Sequence, residues 1–156
     1  MNIQSFSLGQ MQANCYLLEE DGKALLIDPA DSADFLLEQI QRKNLELVGI
    51  VATHGHFDHV MAVGEIQLSY PHLSLHMNKK DMFLLKRLSE TAKHFLGFDP
   101  TVVPVRHTAD LPSGAFSIKD FHFEVLRTPG HTPGSSCLYF KEKGILFSGD
   151  TLFQSG

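Results

Sequence analysis

The stretch Ala52–Val60, ATHGHFDHV, puts three histidines and a carboxylate within six consecutive positions. His54 and His56 are two residues apart after an apolar run, so both imidazoles can face the same side. Asp58 and His59 follow at a predicted helix start, directed at a neighbouring point. Imidazole nitrogens and carboxylate oxygens are common ligands of divalent metals. The turn therefore predicts metal binding, and its four groups suit two adjacent ions sharing one site.

Two further polar turns offer partners for this one. Residues 128–134, TPGHTPG, present His131 on a loop framed by proline and glycine, and residues 148–151, SGDT, present Asp150. Both follow predicted strands, where a rigid scaffold commonly displays functional groups. An isolated loop histidine is usually solvated or hydrogen-bonded, and we interpret four others in this way: His72, His94, His107 and His122. We interpret His76, beside Met77 at a predicted strand end, as structural.

The elements before the histidine-rich turn are predicted from turn residues and periodicity. Residues 17–28 indicate two strands around a charged turn at Gly22, with Pro29 ending the second strand. Ser32 is a candidate N-cap for a helix reaching about Lys43. Residues 47–52 are apolar and β-rich, which predicts a buried strand leading directly into the turn.

After the turn the predicted pattern is helical and then β-rich. Val60, Val63, Ile66 and Tyr70 recur at helical spacing. A strand over residues 73–76 and a helical region over residues 79–96, broken in two, come next, and two prolines, at 100 and 104, indicate an irregular or edge segment.

From residue 115 the period is two, with a strand at 121–125 and a strand–turn–strand unit at 137–147 that leads to Asp150. This unit is similar to the earlier one that ends at Asp28. The two units are either generic hairpins or a repeat, and a repeat would imply two β-rich halves, each with a helix, packed face to face around a seam.

Composition excludes several classes of function. The 156 residues fit one domain, 1–156, with 43% hydrophobic and 20% charged residues. A net charge of −5 without a Lys/Arg-rich run argues against nucleic-acid binding. Neither a basic-then-apolar N-terminus nor a membrane-length apolar run is present in the sequence, so a cytoplasmic protein with reduced Cys15 and Cys137 is expected.

The combination of motifs resembles the metallo-β-lactamase superfamily, and within it the glyoxalase II-like (hydroxyacylglutathione hydrolase-like) branch. The motifs occur in the family's order along the whole chain: N-C-Y-L at 14–17, L-I-D-P at 26–29, T-H-x-H-x-D-H at 53–59, P-G-H-T-x-G at 129–134 and G-D-T-L-F at 149–153. The resemblance implies an α/β fold of the α+β type, a four-layer αβ/βα sandwich with metals at the edge between its sheets.

The resemblance also implies roles for individual residues. His54, His56 and His131 would hold a first metal, Asp58 and His59 a second, and Asp150 would bridge both. The expected cofactors are two divalent ions, most simply zinc, with iron or manganese as alternatives. Asp58 would be catalytic by orienting a metal-bound hydroxide. The implied substrate is a small-molecule thioester such as S-lactoylglutathione, with neither nucleic acid nor membrane as a partner.

Other reactions of the same superfamily remain as alternatives. A persulfide dioxygenase would use one iron on His54, His131 and Asp150, and it shares the histidine-rich string with the hydrolases. A β-lactamase is a weaker alternative because those enzymes are typically exported. The branches that cut nucleic acids carry a large inserted domain, for which this chain has no room.

The position of Gly156 motivates a separate expectation. In the family the second metal normally has one more histidine beyond the G-D-T-L-F motif, and this sequence stops soon after that motif. We therefore expect a C-terminally incomplete sandwich that binds one metal tightly and a second weakly. Uncovered sheet surface would favour self-association. On this hypothesis the chain hydrolyses thioesters slowly, or is a truncated, weakly active metal-binding fragment.

Overall fold

The first sheet has six strands and carries the histidine-rich turn at one edge. The computed structural model of the chain describes residues 1–149. The strands lie in sequence order: β1 Asn2–Leu8, β2 Ala13–Glu20, β3 Lys23–Ile27, β4 Glu46–Val51, β5 Leu75–Met77 and β6 Thr108–Asp110. Strands β1 to β3 pair antiparallel, whereas β3 to β6 pair parallel. The carboxyl ends of β3, β4 and β5 therefore meet at one edge of the sheet.

The second sheet is antiparallel and carries the His131 loop between two of its strands. Its order is β10-β9-β8-β7, with bounds β7 Gly114–Ile118, β8 Phe121–Arg127, β9 Ser136–Phe140 and β10 Ile145–Phe147. Strand β8 alternates buried and exposed residues along most of its length, the pattern of a sheet with one face in a core.

The helices pack on one face of the six-stranded sheet. They are α1 Ala33–Arg42, α2 Phe57–Val60, α3 Val63–Ser69, α4 Met82–Lys86 and α5 Leu88–Leu96, and 3-10 turns occupy Lys79–Asp81 and Lys141–Lys143. Each α-helix contributes apolar side chains to a core against that sheet, such as Leu36, Val60 and Ile66. Within residues 1–149 no helix is both long and apolar enough to span a membrane.

A second core lies between the two sheets. Leu25, Ile27 and Val51 from the first sheet pack with Phe123 and Val125 from the second. The predicted α/β sandwich is confirmed, and residues 1–149 show three of its layers: helices, the six-stranded sheet and the four-stranded sheet. The predicted strand pairs, the helix over residues 33–42 and the broken helical region are also confirmed.

Several local predictions were wrong in detail. Ser32 does not cap α1 with its side chain; its backbone is left-handed, with φ of 58°. The helix after the histidine turn is divided into α2 and α3 at Met61 and Ala62. Strand β1 was not predicted, because two consecutive polar residues, Gln4 and Ser5, interrupt its alternation of polar and apolar residues. Both cysteines are buried free thiols, in agreement with the sequence.

Candidate metal centre

Three histidines from two distant loops meet at the edge of the sandwich. His54 and His56 follow the end of β4, and His131 lies in the loop between β8 and β9. One ligand atom from each residue lies within 4.8 Å of the others. The ring centroids of His54 and His56 are 5.2 Å apart, and that of His131 lies 5.0 Å and 4.4 Å from them. The three imidazoles therefore face a common point.

The surroundings of this cluster fit a catalytic metal site. His54 is buried, His56 is half-buried and His131 is exposed, so the cluster has a protein side and a solvent side. Three protein ligands with one open position are the usual arrangement for a catalytic zinc ion, whereas a structural zinc ion has four protein ligands. The donor chemistry also suits other divalent transition metals, because imidazole binds iron and copper as well as zinc.

The next two predicted ligands lie beside the three-histidine cluster. Asp58 and His59 belong to the first turn of α2, and their Oδ2 and Nε2 atoms are 3.7 Å apart. The ring centroids of His54 and His59 are 4.2 Å apart. This arrangement is compatible with a second metal next to the first. Asp150, the predicted bridging ligand, lies outside the described residues, and metal binding by the six residues stays a prediction.

A buried aspartate, which was not among the site residues predicted from the sequence, is hydrogen-bonded to the histidine-rich turn. Asp28 follows β3, has a left-handed backbone with φ of 53°, and is 1% exposed. Its Oδ1 accepts a hydrogen bond from the Thr53 backbone N–H at 2.7 Å. Its Oδ2 accepts from the Thr53 hydroxyl at 2.7 Å and lies 3.1 Å from His59 Nδ1. Its position in the L-I-D-P motif, at a strand end, was the available signal.

These hydrogen bonds assign the protons of two imidazoles. Thr53 directs its hydroxyl hydrogen to Asp28, so its oxygen, 3.1 Å from His54 Nδ1, accepts a hydrogen bond from the N–H group at that position. His59 Nδ1 donates to the Asp28 carboxylate in the same way. Metal-binding histidines commonly donate their second ring N–H to such a partner, which directs the other nitrogen to the ion. In both His54 and His59, Nε2 is therefore the nitrogen that would be available to a metal.

Cys15, close to Asp28, does not compete as a metal ligand. Its thiol is fully buried, and burial together with the Asp28 charge raises its pKa far above the usual range. Thiols bind metals as thiolates, so Cys15 remains a protonated core residue.

The backbone at Gly149, just before Asp150, lies in close contact with Thr53. Gly149 has φ of 55°, and a Cβ atom there would lie 2.4 Å from Thr53 Oγ1. Only glycine can bring the backbone this close to the residue that holds His54. The glycine of the G-D-T-L-F motif thus has a steric explanation.

The comparison with known families agrees with this geometry. Residues 8–156 match the metallo-beta-lactamase superfamily. The chain belongs to this superfamily, whose members are mostly metal-dependent hydrolases.

Relatives and solved structures narrow the similarity to particular proteins. The chain is 37% identical to the hydroxyacylglutathione hydrolase GloC of Haemophilus influenzae, covering 100% of this chain and 74% of that protein. The structure of TTHA1623 in a di-iron-bound form superposes with a TM-score of 0.87 at 32% identity, and that of BLEG-1 B3 metallo-beta-lactamase with 0.86 at 31%. Each covers 98% of this chain and 74% of the other.

Proposed function

We propose that this chain hydrolyses a small-molecule thioester, with a glutathione-linked acyl group as the first candidate. The observation that carries the proposal is the cluster of His54, His56 and His131, half open to solvent, beside the Asp58 carboxylate. The similarity to a hydroxyacylglutathione hydrolase along the whole chain supports the choice of substrate. Zinc is the metal we propose first, and iron second because of the di-iron relative.

The metal and the protein have separate tasks in this reaction. A divalent ion held by the three imidazoles would supply Lewis acidity toward a carbonyl and toward a bound water. Asp58, whose side chain is 20% exposed, can orient the attacking water and accept its proton. The water oxygen bonds to the carbonyl carbon, the C–S bond breaks, and the sulfur leaves as a thiolate. Because thiols have pKa values of about 8.5, that departure needs no strong general acid.

A groove beside Asp58 offers a place for the acyl group. It is a narrow surface groove that is open to solvent. Most of its lining is apolar, as its principal side chains show: Leu8, Met11, Phe57, Met61 and Leu96. We propose that a short, uncharged acyl group occupies this groove, because the carboxylates of Asp31 and Asp58 on its wall disfavour a negatively charged one.

The test is thiol release from S-lactoylglutathione by zinc-loaded protein, followed with a thiol reagent. Asp58→Ala should lower kcat by about 100-fold or more, the scale of a lost acid–base group. Its free energy of unfolding should change by less than about 1 kcal/mol, since the side chain is partly exposed. Glu65→Ala is the matched control, because Glu65 is an exposed carboxylate in the first turn of α3.

Two further assays on the same sample separate the alternatives. Oxygen uptake with a persulfide and an iron-loaded chain would identify a dioxygenase. Hydrolysis of a chromogenic β-lactam is included because of the 31% identity to a B3 metallo-beta-lactamase. The thioester proposal fails if either of these rates exceeds thioester hydrolysis, or if Asp58→Ala keeps most of its turnover.

A further inference from the structure

A second buried aspartate, Asp81, lies on the other side of the histidine turn from Asp28. It ends the 3-10 turn that follows β5, and its side chain is completely buried. Its Oδ2 accepts hydrogen bonds from the Gly55 backbone N–H at 3.0 Å and from the Thr132 hydroxyl at 2.6 Å. Its Oδ1 accepts from the Gly134 backbone N–H at 2.7 Å. A buried carboxylate with three donors is costly to disturb.

The three donors belong to the two loops that carry the histidine cluster. Gly55 lies between His54 and His56, whereas Thr132 and Gly134 follow His131 by one and three residues. One carboxylate thus bonds to segments that are 26 residues before it and 51 to 53 residues after it. The Asp81 side chain therefore joins the first half of the sandwich to the His131 loop.

The backbone at both glycines is in close contact with Asp81. A Cβ atom on Gly134 would lie 2.7 Å from Asp81 Cγ, and one on Gly55 would lie 3.1 Å from the Asp81 carbonyl oxygen. Neither glycine has a positive φ, so the preference for glycine is steric, and it is stronger at Gly134 than at Gly55. The last glycine of T-P-G-H-T-P-G is explained by the approach of Asp81, and the glycine within H-G-H is favoured by the same residue.

Thr132 is held so that its hydroxyl donates to Asp81. The residue is buried, and its Oγ1 lies 2.8 Å from Ser135 Oγ. Ser135 Oγ also accepts from the Thr132 backbone N–H at 3.1 Å. Because the Thr132 proton goes to Asp81, its oxygen accepts from Ser135. The result is a chain of hydrogen bonds from Ser135 through Thr132 to the carboxylate.

We propose that Asp81 is a positioning residue for the metal centre, because it sets the separation between the His54–His56 turn and His131. The proposal rests on metal binding by the three histidines and not on the identity of the substrate. If the two loops move apart, one ligand leaves the common point, and the affinity of the cluster for a metal falls even though every ligand is still present.

The first test compares zinc affinity in two aspartate variants by competition with a chromophoric chelator. Asp81→Asn keeps the size of the side chain but turns an N–H group toward backbone donors, so zinc affinity should fall by about tenfold or more. Asp110→Asn is the matched control. Asp110 lies at the end of β6, at the same edge of the sheet, and accepts a hydrogen bond from the exposed Lys79 backbone N–H at 2.8 Å. Its variant should bind zinc within about twofold of the wild type.

The second test separates positioning from general stabilisation, and it remains decisive if Asp81→Asn fails to fold. Thr132→Ser keeps the hydroxyl, whereas Thr132→Val keeps the shape and removes it. Zinc affinity should be retained in the serine variant and fall by about tenfold in the valine variant. Metal-free unfolding is measured in parallel, so that affinity is compared only where all variants are folded.

Defined outcomes overturn the proposal. If Asp81→Asn and Thr132→Val unfold more easily without metal but bind zinc within about twofold of the wild type, Asp81 is only structural. If the wild-type chain binds no zinc, iron or manganese, the metal centre fails and this inference fails with it. If the wild type binds zinc with the predicted variant pattern but releases no thiol from thioesters, only the proposed substrate is wrong.

Discussion

Asp28 and Asp81 are both buried carboxylates beside the histidine turn, but they bond to different parts of the site. Asp28 follows β3 and Asp81 follows β5, so they lie on either side of β4, whose end leads into the turn. Asp28 bonds to Thr53 and to the ring of His59. Asp81 bonds to the loop backbone at Gly55 and Gly134 and to the Thr132 hydroxyl.

The difference separates two requirements of a metal centre. Asp28 reaches the imidazoles through one or two hydrogen bonds, and thereby fixes which ring nitrogen is available as a ligand. Asp81 bonds to loops from both halves of the chain, and thereby fixes how far apart their ligands lie. On this proposal, the orientation of each candidate ligand and the distance between the candidate ligands are controlled by different residues.

The largest expected effect on stability is that of Asp28→Asn. The amide has one acceptor oxygen where the carboxylate has two, so it cannot accept hydrogen bonds from all three buried donors, the Thr53 N–H, the Thr53 hydroxyl and His59 Nδ1. We expect a loss of about 3 kcal/mol in the free energy of unfolding. Urea unfolding of the metal-free protein measures this. Asp110→Asn, at an exposed carboxylate, should lose less than about 0.5 kcal/mol. A loss below about 1 kcal/mol for Asp28→Asn would show that its network is not the anchor described here.

An intermediate effect is expected from an added methyl group at Gly134. The Cβ atom of Gly134→Ala would lie 2.7 Å from both Cγ and Oδ1 of Asp81, so the carboxylate or the loop must move. Overpacking of this kind costs about 1–3 kcal/mol. The measurement is again urea unfolding, accompanied by zinc affinity, which should fall together with stability because the His131 loop moves.

A smaller effect on stability is expected at Gly55 than at Gly134, although the backbone N–H of each glycine bonds to Asp81. There the added Cβ atom meets its neighbours at 3.1–3.2 Å, including the flexible thioether of Met77, so small shifts can accommodate it. Gly55→Ala should lose about 1 kcal/mol or less. If Gly55→Ala were the more damaging of the two in urea unfolding, the turn and not the His131 loop would be the more tightly packed partner of Asp81.

The smallest effect is expected for a histidine outside both networks. His94 is exposed on α5, where its ring lies 5.1 Å from that of Phe95. His94→Ala should leave zinc stoichiometry unchanged and thioester turnover within about twofold of the wild type. A larger loss of turnover would mean that the site extends further along α5 than the three-histidine cluster indicates.

Much of the fold and most of the candidate ligands follow from local patterns in the sequence. The spacing within H-x-H-x-D-H, an apolar strand before it and a helical period after it place His54 to His59 at a strand end without any knowledge of distant residues. The alternation in residues 121–125 likewise predicts a sheet with one buried face. Such patterns are readable because side-chain direction repeats every 2.0 residues in strands and every 3.6 in helices.

The support for those ligands depends on the tertiary structure. Asp81 lies in a polar segment without a motif, and its partners are 26 to 53 residues away, so no local period indicates that it is buried between two loops. Ser32 had the residue type of a helix cap but has a left-handed backbone. The sequence alone determined which groups can bind a metal. Only the packing of parallel strands beside a second sheet decided which carboxylates hold them in place, because a buried charge is tolerated only where several chain segments bring donors to it.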